Sequence, residues 1–322
     1  MDKIIYSIII SAYNNRDTIS TCIDSIIKVM KSNKDFEIII IDDCASDGTT
    51  EILKKKYEIF DFIKIIYKKQ NEGLLLSRLD GIKRASGKFC TFIDADDVID
   101  VENWNKCLSI VSERNVDIIE FDSTYVYRGS REKLFKGNIK LKPFKSKIKN
   151  KYYKAYIKKM KKNVPFDEVV VANNYILKAL RHEIPKALWH RFYKRQLLLD
   201  VVNYIESICN PYKDFRKCQI DDGLLTPIIF VFAKDYYVED LNHYKYTIFS
   251  TTSNLKQIRY SIDKQKAELF FERKRLKILL SLFELKNLSL EYKFIRKMQV
   301  KNLLSIVKHQ IKRCLIKLKL KK

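Results

Sequence analysis

Glycine is scarce in this chain: seven residues in 322, at positions 48, 73, 81, 87, 129, 137 and 223. No two form a GxG pair and no GxxxxGK run exists. That excludes the dinucleotide fingerprint and the P-loop, both of which need glycine where backbone approaches phosphate. The seven cysteines show no CxxC spacing, which excludes zinc ribbons and thioredoxin-like redox sites. Cys22 and Cys90 stand inside apolar patterns, as small buried hydrophobes do, and the scatter of an odd number fits a reducing cytosol. Four histidines without paired spacing leave His190 and His243 as weak candidates for a metal ligand or base. Long apolar runs are missing too. Residues 4–10 and 224–233 are each too short for a signal-peptide core or a bilayer span.

Acid is the scarce charge. Sixty-three Lys and Arg face 39 Asp and Glu, a formal charge of +24, with a pI near 9.5. Such an excess implies an anionic partner: nucleic acid, an acidic membrane surface or a phosphorylated substrate. Residues 136–162 carry twelve lysines and no acid, as a solvated surface excursion does. Against this background FCTFIDADDVID, residues 89–100, sets four aspartates within seven positions. Like charges this close repel unless they face water or a cation sits among them.

The first 130 residues alternate between two periods. Residues 4–10 (IIYSIII) and 36–41 (FEIIII) are mainly apolar and rich in isoleucine, as strands covered on both faces are. Between them, apolar positions 19, 22, 23, 26, 27 and 30 form a helical stripe. A helix capped by Asp47 follows Gly48. Residues 63–67 read as a third strand, 74–85 as a helix and 89–93 as a fourth strand. This alternation predicts an α/β fold with a mainly parallel sheet between helices, whose ligands bind beyond the carboxyl ends of the strands. Tyr13, Asp42, Asp43 and the 94–97 cluster fall on that edge. Asp42 and Asp47 fit structural roles.

A sheet without a glycine cradle has to neutralise phosphate another way, and a divalent cation held by carboxylates does so. Asp94 and Asp96 are two apart and face the same way in an extended chain. A turn after the strand brings one to the metal and the other to a ribose hydroxyl.

Several blocks together resemble the family 2 glycosyltransferases, inverting enzymes with the GT-A fold. They are YSIIISAYNNRDTISTCIDSI (6–26), IIIIDDCASDGTTEIL (38–53), NEGLLLSRLDGIKRASGKFCTFIDADD (71–97), QIDDGLLTPIIF (219–230) and HYKYTIFSTTSN (243–254). The resemblance spans about residues 4–254. It implies donor-binding roles for Ser11, Tyr13, Asp43, Arg78 and Asp94, with Tyr13 against the base, Asp43 accepting its imide N–H and Arg78 approaching the nucleotide. Asp96, sharing with Asp94, would hold Mn²⁺ or Mg²⁺ at the diphosphate, and Asp97 would orient its neighbours. Asp222 would be the catalytic base, with Asp221 positioning it or capping the helix. Trp189 is either an acceptor wall or core, since Leu188 and Phe192 flank it. The sequence departs from the family at Ser11, where proline is usual, at Cys44-Ala45 in place of Gly-Ser, and at Asp221 in place of glutamate.

These readings divide the chain into a nucleotide-sugar-binding half (1–128), an acceptor-binding and catalytic-base half (129–253) and a basic amphipathic helical tail (254–322). In QVKNLLSIVKHQIKRCLIKLKL, residues 299–320, Val300, Leu303, Leu304, Val307, Ile311, Cys314, Leu315 and Leu318 share one helical face. The opposite face is basic. Such a helix lies well on an anionic membrane surface, each cation near acidic lipid contributing about 1 kcal/mol. The competing explanation packs the apolar face on protein. The expectation is a transferase moving a sugar from a nucleotide-diphosphate donor, UDP-linked by default, to a glycan or lipid-linked acceptor. It would work as a cytoplasmic, peripheral protein on the inner face of the cell membrane, with no nucleic acid partner. The alternatives are a nucleic-acid-binding α/β protein and a non-catalytic sugar-nucleotide scaffold.

Overall fold

Strand β1 (Tyr6–Ala12) is the centre from which the fold grows. The computed structural model describes residues 5–30, 35–128, 169–172, 187–215, 221–249 and 262–288, with 176, 180, 293, 296 and 297 as isolated positions. β1 pairs in parallel with β2 (Phe36–Asp42) on one side and β4 (Phe89–Asp94) on the other, and β2 pairs in parallel with β3 (Ile63–Tyr67). Ile8, Ile9 and Ile10 on β1 and Ile38 to Ile41 on β2 are all buried. Both faces of these strands are therefore covered, as their isoleucine runs require. Burying each such side chain contributes about 1.5–3 kcal/mol.

Helices α1 (Ile19–Met30), α2 (Thr49–Lys56) and α3 (Leu74–Arg84) join these strands. α3 packs closely on β1, where a side chain at Gly81 would run into Ile9 Cγ2. Glycine is what lets the helix approach. At the start of α2, Asp47 precedes the cap position, which Gly48 occupies, and its carboxylate accepts the Thr49 N–H at 3.0 Å.

Beyond β4 the architecture becomes mixed. β5 (Val98–Ile99), α4 (Val101–Arg114), β6 (Ile118–Arg128), β7 (Val169–Val171) and β8 (Arg191–Lys194) follow, then α5 (Arg195–Ile208), α6 (Pro211–Asp214), α7 (Asp222–Phe232) and β9 (Asp235–Phe249). Among the described residues the strand order is β3-β2-β1-β4-β8-β6-β9-β5, with β7 beside β9. β8 runs antiparallel to β4 and β6, β5 and β7 run antiparallel to β9, and β6 pairs in parallel with β9. The parallel character is thus concentrated in β1–β4, and the later strands make the whole sheet mixed.

The chain divides into two compact units, Met1–Gln257 and Ile258–Lys322. The first contains both sections that the sequence separates at 128, joined through the long β6–β9 pairing. In the second, α8 (Ile262–Leu285) carries the buried residues Leu276, Leu279, Leu282 and Phe283. Residues 136–162 and the amphipathic stretch 299–320 lie outside the described residues. Among the described residues no helix is long and apolar enough to cross a membrane.

Candidate active site

Three strand ends and the start of one helix meet at the carboxyl edge of the sheet. A cavity of about 550 Å³ opens there, lined by Ser11, Ala12 and Tyr13 from the end of β1, Asn15, Asp43 after β2, and Asn71, Gly73, Leu74 and Ser77 around the start of α3. Asp94, Ala95 and Asp96 after β4 complete it. Tyr13 is 48% exposed, so its ring is available at the rim.

Each acid of the edge has distinct partners. Asp42 is turned inward, accepting the Ala45 N–H at 3.0 Å and the Thr50 hydroxyl. Asp43 accepts the backbone N–H groups of Glu72 at 2.9 Å and Gly73 at 2.7 Å, with Lys68 Nζ 3.6 Å away. It thereby fastens the loop leading into α3 to the end of β2. Gly73 takes a φ of 100° there, open to glycine without a steric cost.

Asp97 is buried and faces away from the cavity. It accepts the Tyr244 hydroxyl at 2.7 Å and the Thr247 N–H at 2.6 Å. Burial, then the neighbouring charges of Asp96 and Asp94, pushes its carboxyl well above the usual range. The Tyr244 hydroxyl also accepts the Asp94 N–H at 3.1 Å. One phenol on β9 therefore pins both ends of the Asp94–Asp97 turn, leaving Asp94 and Asp96 toward the cavity. Trp189 stacks on Tyr244 at 4.4 Å and on Tyr246 at 5.3 Å.

Arg78 links this turn to the far half of the chain. It sits on the buried face of α3 with its guanidinium over the Phe92 ring at 5.7 Å. Nη2 donates to Asp94 Oδ1 at 2.8 Å, while Nη1 donates to Asp222 Oδ1 at 2.6 Å and to Asp221. Asp221 occupies the cap position of α7 but makes no side-chain capping bond; its carboxylate is spent on Arg78. Asp222, at the first helical position, remains 35% exposed. Burial, reinforced by Asp221 and Asp94 and opposed by Arg78, pushes its carboxyl up to about 7. Asp221 is raised as well, chiefly by burial.

One placement differs from the sequence reading and one decides between its alternatives. Arg78 is not among the residues lining the cavity: with three carboxylates around it, it is a buried tie between Asp94 and the 221–222 pair. Trp189 is core, the second of its two alternatives, with Tyr244 and Tyr246 covering its ring. His190 and His243 are buried away from the cavity, His190 beside Glu120 Oε2 at 3.4 Å and His243 stacked on Trp104 at 5.7 Å. Burial drives the His243 imidazole down to about 3. Sequence reasoning assigned no role to Asn15, Asn71, Ser77 or Tyr244. Ser77 and Asn71 lie inside the quoted 71–97 block, yet only their proximity to the strand ends gives them meaning.

The cavity lining contains three carboxylates and no Lys or Arg. Mg²⁺ and Mn²⁺ take one or two carboxylates together with phosphate oxygens and water, so Asp94 and Asp96 fit that donor set. Among the described residues no group of three or more His, Cys, Asp and Glu is arranged to hold a metal by itself.

A nucleotide-sized cavity at the carboxyl edge of a parallel half-sheet, joined to a mixed half that brings in a second acid pair, is the GT-A arrangement. The chain belongs to the family described as Glycosyl transferase family 2, which matches residues 7–173, more than half of its length. The poly(ribitol-phosphate) beta-glucosyltransferase of Bacillus spizizenii is 32% identical over 161 residues, covering 41% of this chain and 25% of that protein. The cholesterol galactosyltransferase of Borreliella burgdorferi is 26% identical over 265 residues, covering 82% of this chain and 65% of that one. In fold the chain is similar to Staphylococcus aureus TarS 1–349, solved in complex with UDP-GlcNAc. The TM-score is 0.56 at 20% identity, over 86% of this chain and 66% of that one. The matched part thus spans between a quarter and two thirds of these proteins' own length.

Proposed function

We propose that this protein transfers a sugar from a nucleotide-diphosphate donor, a UDP-sugar, to a hydroxyl of a glycan or lipid-linked acceptor, with inversion at the anomeric carbon. The observation that carries the reading is the Arg78 cluster, which ties Asp94 at the cavity to Asp222 at the start of α7. Donor edge and acceptor base are held by one side chain.

In a direct displacement the acceptor oxygen bonds to the anomeric carbon while the bond from that carbon to the diphosphate oxygen breaks. The acceptor's proton has to leave as it attacks, and Asp222 takes it. A carboxyl near 7 is poised for this, since a base works best with a pKa close to the operating pH. Arg78 holds the Asp222 carboxylate in place, and Asp221 shares that anchor. Tyr13 offers a ring face to the base, and the Asp43-fastened loop encloses the nucleoside. Asp96, with Asp94, would hold Mn²⁺ or Mg²⁺. When bound, that ion supplies the positive charge that the lining lacks and stabilises the leaving diphosphate. The likeness in fold to a UDP-GlcNAc complex supports UDP as the nucleotide, and relatives acting on cell-surface polymers support a surface glycan as product.

The test is turnover of a panel of nucleotide sugars with Mn²⁺ or Mg²⁺, set beside calorimetric donor binding. Asp96→Ala should abolish metal-dependent donor binding. Asp222→Ala should spare donor binding and cut turnover by about 10²–10⁴-fold. Donor binding indifferent to divalent ions would count against the metal, and full turnover in Asp222→Ala against the base.

The basic tail completes the reading by placing the enzyme on the anionic inner face of the cell membrane, where lipid-linked acceptors are presented. The net charge of +24 supports this. Removing residues 299–322 should release the protein from anionic vesicles; unchanged flotation would refute the placement.

A further inference from the structure

β8 runs against β4, β6 against β8 and β9 with β6. β9 therefore runs in the sense of β4 and carries its later residues to the carboxyl edge. There Tyr244 meets the Asp94–Asp97 turn through its hydroxyl. β5 pairs Ile99 with Tyr244 and Val98 with Lys245, and the next step of that register sets Tyr246 opposite Asp97, one residue from Asp96. The Thr247 N–H donates to Asp97 at 2.6 Å, so Tyr246 stands between two residues fastened to one carboxylate. Its ring shares the face of Tyr244, and Trp189 fills the space between the two. Trp189 lies 4.4 Å from the Tyr244 ring at 21° between planes and 5.3 Å from the Tyr246 ring at 25°. Three near-parallel rings form one stack. Tyr244 and Trp189 are buried, whereas Tyr246 is half-buried, so one end of the stack stays partly open.

An open aromatic ring held this firmly beside a transfer site can carry a sugar. A pyranose presents C–H groups of slight positive charge on a flat face, which suits the negative face of an aromatic ring. The donor cavity ends short of Tyr246, and among the described residues lining that cavity the one aromatic is Tyr13. Tyr246 comes instead from β9, which lies beyond β4 from β1 and β2 in the sheet. We propose that Tyr246 is the platform on which the acceptor's terminal sugar stacks, so that the acceptor presents a pyranose ring and not an open-chain polyol. An alditol has no flat face to lay on the ring. Trp189 and Tyr244 behind the platform fix its place relative to Asp94 and Asp96. This rests on the transferase reading and names the chemical class of its acceptor.

The experiment compares wild type with Tyr246→Phe, Tyr246→Leu and Tyr246→Ala. Saturation-transfer NMR with UDP and Mg²⁺ present measures binding of the methyl glycosides of glucose, galactose and N-acetylglucosamine, with ribitol as the open-chain control. Calorimetry measures UDP and UDP-GlcNAc, and Tm reports folding. Wild type should bind at least one pyranoside more tightly than ribitol, and Tyr246→Phe should keep that preference. Tyr246→Leu covers Trp189 without offering a flat face. It and Tyr246→Ala should weaken the pyranoside by about five- to tenfold while ribitol, UDP and UDP-GlcNAc stay within about twofold. If Tyr246→Ala lowers Tm, Tyr246→Leu decides. Unchanged pyranoside binding in Tyr246→Leu, or an equal loss for ribitol, overturns the inference. So does a loss on UDP-GlcNAc beyond that on UDP, which gives the ring to the donor sugar, or a loss on UDP itself, which makes Tyr246 a prop of the turn. Wild type that binds UDP but prefers no pyranoside overturns the inference alone, whereas wild type that binds no UDP overturns the transferase reading with it.

Discussion

Two arginines are buried in this molecule with nearly the same surroundings and opposite outcomes. Arg191 on β8 donates from Nε to Glu120 Oε2 at 2.5 Å and from Nη1 to the Ala187 carbonyl at 2.8 Å, over the Phe230 ring at 5.6 Å. Tyr236 donates to the same Glu120 oxygen at 2.8 Å. One cation meets one anion, and although burial opposes ionisation, Arg191 and its neighbours hold the Glu120 carboxyl down at about 2. Arg78 also lies over a phenylalanine, but three carboxylates crowd it. There burial, with the surplus of negative charge added to it, leaves Asp222 near 7, and Asp94 opens on the cavity. The first pair is closed and stitches β6, β8 and β9 together. The second is incomplete by itself, and a cluster left over-acidic at a cavity edge is where proton transfer and cation binding become possible.

The strongest way to break the comparison is to remove each arginine. Arg191→Met leaves Glu120 buried without its cation and should cost about 3–5 kcal/mol in denaturant unfolding. Adding Glu120→Leu should recover most of that loss, because a buried ion pair can be replaced by apolar groups at little net cost. Arg78→Met should lower turnover by about 10²-fold through misplacement of Asp222 and Asp94, and no apolar partner substitution should restore it. Activity recovered by an apolar Arg78/Asp221 double variant would erase the distinction between the two sites.

Acidity separates them next. Glu120 titrates near 2 when folded against about 4.3 unfolded. Its stabilisation is complete above about pH 4.3 and is lost as pH falls toward 2. Asp222 has the opposite sign. Its folded value near 7 exceeds an unfolded value of about 3.9, so the folded protein loses stability as pH rises from about 4 to 7 and stays level above. Turnover follows the other branch: kcat/KM should rise through about pH 7 as the base ionises. Asp222→Asn should lessen the decline in stability between about pH 4 and 7 while leaving the acid limb in place, the raised Asp221 and Asp97 carboxyls keeping their share of it. A decline unchanged in Asp222→Asn would assign it to those other carboxyls.

A smaller effect is expected at the phenol that fixes the Asp94–Asp97 turn. Tyr244→Phe keeps the stack on Trp189 and removes the hydroxyl shared by Asp94 and Asp97. Metal-dependent donor affinity should weaken by about tenfold, the scale of one hydrogen bond to a charged group. Affinity without metal should change less. Equal losses with and without metal would detach Tyr244 from the turn.

The half of the sheet built from β1 to β4 was legible because its isoleucine runs are covered on both faces and each ends in a polar cluster. The order strand, acid, helix then sets Asp43, Asp94 and Asp96 on one edge. The other half resisted reading for physical reasons. β5 is two residues long and β8 four, too short to display a period. β9 pairs with β5, β6 and β7, and no local pattern announces such long-range partners. Arg78 looked free to approach a nucleotide because its carboxylate partners at 221 and 222 are more than 140 positions away. Trp189 looked half available because the tyrosines covering it arrive from β9. Ser77 carried no signal at all until the contact between Gly81 and Ile9 fixed which face of α3 meets β1.

The smallest effect is expected at Cys44, which follows Asp43 and holds a φ of 62°. A non-glycine residue in that left-handed region costs roughly 1–2 kcal/mol, whereas glycine adopts it freely but loses about 0.5–1 kcal/mol through the added freedom of its unfolded chain. Cys44→Gly should therefore shift stability by no more than about 1 kcal/mol. Donor affinity should move less than about twofold, because Asp43 is fixed by the Glu72 and Gly73 N–H groups and not by the residue after it. Cys44→Val forces a β-branched side chain into the same backbone and should cost about 1–3 kcal/mol. If Cys44→Val weakens donor binding no more than Cys44→Gly does, strain in this loop stays local and Asp43 is insulated from it. If affinity falls with stability, the loop backbone itself positions Asp43, and the fastening to the start of α3 is only part of what shapes the Asp43 end of the cavity.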